Sequence, residues 1–489
     1  VLRTLAWIAV LVLGGLAVLI AIIFYNPKVA VAVGIVVIGL WIAFGAVISH
    51  WFGITRHVVR HLGRRWHRGH VLRERIRTGE RVNIQTALNL LRLSDDAEGS
   101  LFGFPVSNYR TGPTDLVALL RENPEPAPLT WENLPHASGA TMGCANNALY
   151  LLRCSGKPAC VMVQDRPRDE WRPADLQVLA HDRETAQATL DEIYRLAREN
   201  SPYRGSVLSI DRRDRKSDDL AVLFHDLEPV DRNEIILPEQ VLETLERNVL
   251  GYLEHAGALR QAGHGTRHGV LLHGPPGTGK TLVTRYLAQV ARGATVILIT
   301  GRQYAHLRSA LQLARLLAPS LVILEDVDLI AMERRQNRHA PLLHELMDEM
   351  DGMGSASDCI FILTTNRPGV LEPALSARPG RVDQAIAFPL PDAARRRQLC
   401  EQFGRELHLD GVNQEALIAR TEGASPAFLK ELFRRATLLA LERGHMEPPV
   451  LVQEQDFQQA LRELVEFGGD LTRQFLGFPV DSPRAQALR

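Results

Sequence analysis

Lysine is nearly missing from this 489-residue chain, occurring only at positions 28, 157, 216, 280 and 430, so almost all of its positive charge is arginine. Excess charge of either sign is missing too. The formal net charge is zero, so whole-chain basicity gives no reason to expect a nucleic-acid partner. Cysteine is scarce: Cys144, Cys154, Cys160, Cys359 and Cys400 are odd in number and never in C-x-x-C spacing. That argues against a disulfide frame or a zinc site and for free thiols in a reducing compartment. The metalloprotease signature H-E-x-x-H is lacking as well. Its nearest approach, His344-Glu345, has Asp348 where the second histidine would stand, so zinc proteolysis is not expected. Compositional signs of disorder are also absent, because 46% hydrophobic and 23% charged residues describe a globular chain with room for two to four domains.

What the sequence does have, at its start, is long apolar runs. Residues 4–25 carry no charge, and at about 1.5 Å per helical residue they reach roughly 33 Å, enough to cross a bilayer core. Asn26-Pro27-Lys28 interrupts, and residues 29–48 form a second uncharged stretch. A cleaved signal peptide has a shorter apolar region and no second span. The expectation is a transmembrane helical hairpin over residues 1–52, contacting the membrane through residues 4–48. Arg56, Arg60, Arg64, Arg65 and Arg68 follow it, whereas the connecting turn offers only Lys28. Positive charge stays inside, which predicts a two-pass protein of the inner (cytoplasmic) membrane with both termini cytoplasmic. Residues 53–129 then read as a basic juxtamembrane and linker region, with a short helix over 83–93 and a stiff segment at 123–128.

Beyond residue 130 the pattern turns β-rich. Residues 148–154 and 159–164 flank a Ser-Gly-Lys-Pro turn as a hairpin, 176–180 reads as a third strand, and 206–210 and 221–224 as two more. Between them, residues 183–200 place Ala186, Leu190, Ile193, Leu196 and Ala197 on one helical face. Residues 130–226 are expected to form a small α+β domain that binds cargo or an adaptor, or acts as a spacer.

The chemistry-bearing motif comes next. Gly274-Pro275-Pro276-Gly277-Thr278-Gly279-Lys280-Thr281 fits G-x-x-x-x-G-K-[ST], between a short apolar strand at 270–272 and a helix-spaced run at 281–291. Glycines let backbone N–H groups converge on a phosphate. The helix N-terminus adds positive potential, and Lys280 reaches the terminal phosphate oxygens. The Thr281 hydroxyl suits a Mg²⁺ shell. Forty residues on, the apolar strand 321–324 ends in Glu325-Asp326, and a further one, 360–363, leads to Asn366. Carboxylates and an amide delivered at parallel-strand ends beside a phosphate loop can hold Mg²⁺ and orient an attacking water.

With these residues in place the chain resembles the AAA family of the AAA+ superfamily over about residues 228–466. The resemblance rests on GPPGTGKT, LVILEDVD, DEMDGM (348–353), TTNRP, LSARPGRVD (375–383) and the lid-like TEGASPAFLKELFRRATLLALER (421–443). It implies an α/β P-loop fold, a doubly wound parallel sheet with a helical lid. The large subdomain would span 227–391, the lid 392–466 and a tail 467–489, with the membrane hairpin and α+β domain ahead of them. It further implies ATP and Mg²⁺ as ligands, and Glu325 in the metal shell with Thr281. Asp326 would be the base and Asn366 would orient the water. Gly423 and Ala424 would contact nucleotide from the lid. Arg378 and Arg381 would be arginine fingers reaching a neighbouring subunit in a homo-oligomeric ring, by family a hexamer.

Two departures qualify the likeness. The acidic pair runs Glu-Asp where Asp-Glu is usual, an order similar to that of mitochondrial AAA translocases that insert the Rieske iron–sulfur protein. The segment after strand 295–300 is short, and Tyr304 is followed by Ala305-His306 without the glycine of an aromatic pore loop. Tyr304 is therefore expected to pack at a helix start and not to grip a threaded chain. The expected function is a membrane-anchored ATPase that remodels or translocates a protein cargo, with an ATP-gated scaffold or membrane effector as the alternative.

Overall fold

The computed structural model describes residues 53–77, 79–94, 100–105, 115–164, 174–212, 220–329, 346, 358–369, 382–444 and 449–467. The expected hairpin, the arginines at 378 and 381, DEMDGM and the tail beyond 467 lie outside them. Among the described residues no helix is long and apolar enough to cross a membrane.

Two compact units account for the chain. The N-terminal one is built on an antiparallel sheet of five strands in the order β1-β7-β6-β5-β2 (β1 His70–Arg75, β2 Leu101–Gly103, β5 Ala148–Cys154, β6 Lys157–Gln164, β7 Asp175–Ala180). Strand side chains alternate between faces, and both faces are covered. Tyr150, Leu152, Val161 and Val178 meet Ile84, Leu88 and Leu91 of α2 (Arg81–Ser94) and Ala186, Leu190 and Ile193 of α4 (Arg183–Glu199). On the other side Leu149, Leu151, Met162 and Leu179 meet Ile54, Val58 and Leu62 of α1 (Ile54–Leu62) and Leu116, Leu119 and Leu120 of α3 (Leu116–Glu122). Burial on two faces explains why these strands read as continuous apolar runs despite antiparallel pairing. β3 (Thr130–Ala137) and β4 (Ala140–Asn146) form a separate two-stranded sheet.

This arrangement corrects the expectation for residues 53–129. The first part of the arginine-rich flank, with Arg56 and Arg60, is helix α1, which buries Ile54, Val58 and Leu62 at four-residue spacing while Arg60 stays exposed. Residue 123 begins no free linker either. Asn123 ends α3 at φ 46° and its side chain accepts from the Thr55 N–H at 3.0 Å.

The second unit carries a seven-stranded sheet ordered β14-β10-β13-β12-β11-β8-β9 (β8 Val207–Arg212, β9 Leu220–Phe224, β10 His268–His273, β11 Thr295–Ile299, β12 Ser320–Leu324, β13 Cys359–Thr365, β14 Gln384–Ala387). All neighbouring pairs from β14 to β8 are parallel, and β9 closes the edge antiparallel to β8. β8 and β9, expected within the α+β region, thus extend this sheet instead: Val296 and Ile297 register against Val207 and Leu208. Helices α5 (Glu239–Glu246) and α6 (Lys280–Val290) pack on the sheet through Leu242, Leu245, Val283 and Leu287, and α7 (Leu307–Leu316) follows β11.

A helical lid completes the unit: α8 (Ala393–Gly404), α9 (Gln414–Arg420), α10 (Pro426–Glu442) and α11 (Glu454–Arg462), with a parallel pair β15 (Leu407–Asp410) and β16 (Val450–Gln453). Its helices start where side chains satisfy orphan N–H groups. Asp392 accepts from Arg395, Asn413 from Ala416 and Ser425 from Phe428. Phe428, Leu432, Phe433 and Phe457 form its core.

Candidate active site

The phosphate loop leaves β10 at His273 and enters α6 at Lys280. Gly274, Gly277 and Gly279 have φ of 156°, 75° and 97°, and two of these positions admit no side chain. A Cβ on Gly274 would lie 2.3 Å from the Phe388 carbonyl oxygen, and one on Gly277 would lie 2.8 Å from both Ala427 Cβ and Ser425 Oγ. The loop is therefore wedged between β14's exit and the lid. Lys280 is buried, and its Nζ donates to the carbonyls of Gly274 and Pro275 at 2.8 and 2.9 Å. Burial pushes its amine down to about 8, partly offset by the charges of Asp326 and Asp328. Thr278 donates to Pro275 at 2.9 Å, while Thr281 stands exposed at the rim.

β12 and β13 deliver the acidic and amide groups. Glu325 accepts from the Thr284 hydroxyl at 3.2 Å, one turn along α6 from Thr281. Asp326 accepts from Asn366 Nδ2 at 3.1 Å. Burial, helped by the neighbouring Asp328 carboxylate, raises the Asp326 carboxyl above its ordinary range, against the pull of Lys280 and Asn366. Asp328 is buried and accepts from Thr365 Oγ1 at 2.9 Å and from the Asn366 N–H at 3.3 Å. It thereby fixes the loop that carries Asn366. Asp328, Thr364 and Thr365 are not singled out as site residues by the sequence motifs, although the Glu-Asp-Val-Asp spacing at the strand end is a usable signal for Asp328.

Of these groups, Lys280 and the loop residues 276–283, Asp326, Thr364 and Asn366 line one cavity of about 450 Å³. Its apolar side consists of Ile235, Ile236, Leu237, Leu399 and Phe403, a surface suited to the flat face of a base beside a polar phosphate end. The lid contribution differs from expectation. Gly423 and Ala424 form the turn before α10, with Ala424 fully buried, and Pro426, Ala427 and Lys430 are the residues of this segment that line the cavity. The reason is local: the turn points Ala424 into the lid core, and the wall is made by the first turn of the helix it starts. Tyr304 is buried, and its hydroxyl donates to the Glu325 carbonyl at 2.7 Å, so it packs as expected. Arg378 and Arg381 lie outside the described residues.

The donor set fits a nucleotide triphosphate with a hard cation: a glycine cradle, one buried ammonium, and hydroxyl and carboxylate oxygens of Thr281, Glu325 and Asp326. Residues 270–390 match the family described as ATPase family associated with various cellular activities (AAA). The chain carries an AAA ATPase domain. Such a domain implies ATP hydrolase activity. Among curated relatives, the chain is 33% identical over 247 residues to the 26S proteasome regulatory subunit 6B homolog of Encephalitozoon cuniculi, covering 47% of this chain and 61% of that protein. It is 33% identical over 231 residues to the proteasome-activating nucleotidase of Pyrococcus horikoshii, covering 44% and 56%. It is 33% identical over 237 residues to the ATP-dependent zinc metalloprotease FtsH 2 of Sphaerobacter thermophilus, covering 46% and 35%. The chain therefore spans less than two thirds of the length of each.

Proposed function

We propose that this chain is a membrane-tethered AAA ATPase that couples ATP hydrolysis to remodelling or translocation of a protein substrate, working as a homo-oligomeric ring, by family a hexamer. The observation that carries the chemistry is the Asp326 carboxylate, held 3.1 Å from Asn366 Nδ2 and lining the same cavity as the Lys280 loop. Lys280 binds the phosphates. Asn366 orients a water, and Asp326 takes its proton as the water attacks the terminal phosphorus and the bond to the ADP oxygen breaks. Thr281 and Glu325 would hold Mg²⁺, which when bound neutralises phosphate charge. Protein as the substrate is supported by the names of the relatives, which include a proteasome regulatory subunit and a proteasome-activating nucleotidase. The tether is supported by the uncharged runs 4–25 and 29–48, and the cytoplasmic placement of the ATPase by the arginines that follow.

A weakly hydrolysing, ATP-gated scaffold is the second reading, favoured by an aspartate at 326 where the longer glutamate is usual. Turnover by the full chain in membrane nanodiscs separates the two. A remodelling ATPase hydrolyses ATP continuously and faster when a protein substrate is added, and loses turnover in Asp326→Asn. A scaffold shows nucleotide-dependent assembly with negligible turnover in both.

A further inference from the structure

The peptide group joining Glu325 to Asp326 is gripped on both sides by side chains from other elements. Its carbonyl accepts from the Tyr304 hydroxyl at 2.7 Å, and its N–H donates to Thr364 Oγ1 at 3.0 Å. Both gripping residues are buried, Tyr304 at 4% and Thr364 at 2% exposure, so their side chains are held in place by packing and losing either bond leaves a polar group of the peptide without its protein partner. The peptide needs holding, because Asp326 has φ of 54°. That is the left-handed region, where a Cβ crowds the carbonyl. The other described non-glycine residues with positive φ are Asn123, at a helix end, and Asn147 and Ser155, which sit between successive strands. Asp326 instead follows a central parallel strand, next to the reacting groups. Strain kept at such a place has to be over-determined by its surroundings.

The supports are themselves anchored. Thr364 belongs to β13, and Tyr304 to the short helical segment Gly301–His306. That segment is fixed by a capping box between Thr300 and Gln303 and by a Gln303 hydrogen bond to Ser209 Oγ at 3.1 Å. Rotating the 325–326 peptide changes ψ of Glu325 and φ of Asp326 together. Two grips on one plane therefore fix the direction in which the Asp326 side chain leaves the backbone, toward Asn366.

We propose that Tyr304 and Thr364 are positioning residues for ATP hydrolysis, clamping the 325–326 peptide so that the Asp326 carboxylate is aimed at the attacking water. Tyr304 acts through the backbone of the acidic pair. The inference rests on the reading of Asp326 as the base.

The test compares Tyr304→Phe, Thr364→Val and Thr364→Ser with the parent in the full-length protein, alone and combined with Asp326→Asn, reading kcat, KM, ATP affinity and urea stability. Loss of one hydrogen bond to the clamp lowers kcat about 3- to 10-fold while KM and ATP affinity stay within about twofold. Thr364→Ser, which keeps the hydroxyl, retains most of the parent kcat. In the Asp326→Asn background the clamp has no base to aim, so Tyr304→Phe leaves the residual rate unchanged, a coupling that a general loss of stability cannot produce. Should Thr364→Val fail to fold, the isosteric Tyr304→Phe decides alone. A parent-like kcat in Tyr304→Phe, or an equal drop in both backgrounds, overturns the clamp while leaving the base intact. Undiminished turnover in Asp326→Asn overturns the reading of the base and the clamp with it.

Discussion

Lys280 and Asp326 are pulled in opposite directions by the same burial, and the site's pH dependence follows from that. The Asp326 carboxyl of the free protein is raised, and a base works only when deprotonated, so kcat/KM should fall with decreasing pH earlier than an ordinary aspartate would dictate. At the other end, the amine of Lys280 is lowered to about 8. As pH rises through that value the free protein loses the charge that binds phosphate, and the dissociation constant for ATP, measured by titration calorimetry, should climb. Folding carries the opposite sign. Between about 8 and the ordinary lysine value of 10.5 the folded protein binds fewer protons than the unfolded chain, so this group makes stability rise with pH across that window. An ATP affinity flat from pH 7 to 9.5 would contradict the assigned burial of Lys280. Glu325, Asp326 and Asn366 were legible in the sequence because each sits one to three residues past a run of apolar strand residues. Asp328 was less so, because its role depends on hydrogen bonds to Thr365 and Asn366 that only strand order brings within reach.

At the scale of elements, the phosphate loop and the lid are interlocked through Gly277. Its carbonyl accepts from the Ala427 N–H at 3.1 Å, and its missing Cβ makes room for Ser425 and Ala427. Gly277→Ala should therefore lift the start of α10 off the loop as well as strain the backbone. The expected cost is about 1–3 kcal/mol in urea unfolding, with ATP binding weakened by at least about tenfold because the cavity wall at Pro426 and Ala427 moves. Unchanged binding would place the nucleotide elsewhere in the cleft. The central strands of both sheets were legible from apolar runs and turn residues, whereas the edge strands His70–Arg75, Leu101–Gly103 and Gln384–Ala387 lack such runs and were not. Nor was partner choice. Nothing in residues 207–224 says that they prefer β11 to the strands of the antiparallel sheet, since pairing is decided by backbone register and not by local pattern. Helix α1 was hidden differently: Ile54, Val58 and Leu62 carry a helical period, but the arginines and histidines between them match a membrane flank equally well. Gly423 and Ala424 marked the right turn of the lid, and only the direction of that turn shows that the cavity wall begins two residues later.

For the whole molecule the account asks for a membrane hairpin and a ring. A single cysteine introduced beside Lys28 should react with a membrane-impermeant thiol reagent from outside, and one near Arg64 should not. The opposite labelling would separate the ATPase from cytoplasmic ATP. If Arg381 completes a neighbour's site, mixing Arg381→Ala with Lys280→Ala subunits should recover part of the turnover that each lacks alone, through interfaces pairing an intact loop with an intact arginine. No recovery at any ratio would count against catalysis across an interface. Both tests presuppose that binding and hydrolysis occur at the one described site, and a single paired measurement addresses that most directly. ATP binding and ATP turnover are measured on the parent, Lys280→Ala and Asp326→Asn proteins under the same conditions. The account predicts that Lys280→Ala loses tight binding, whereas Asp326→Asn binds ATP like the parent and fails to turn it over. Parent-like binding in Lys280→Ala, or parent-like turnover in Asp326→Asn, would contradict it.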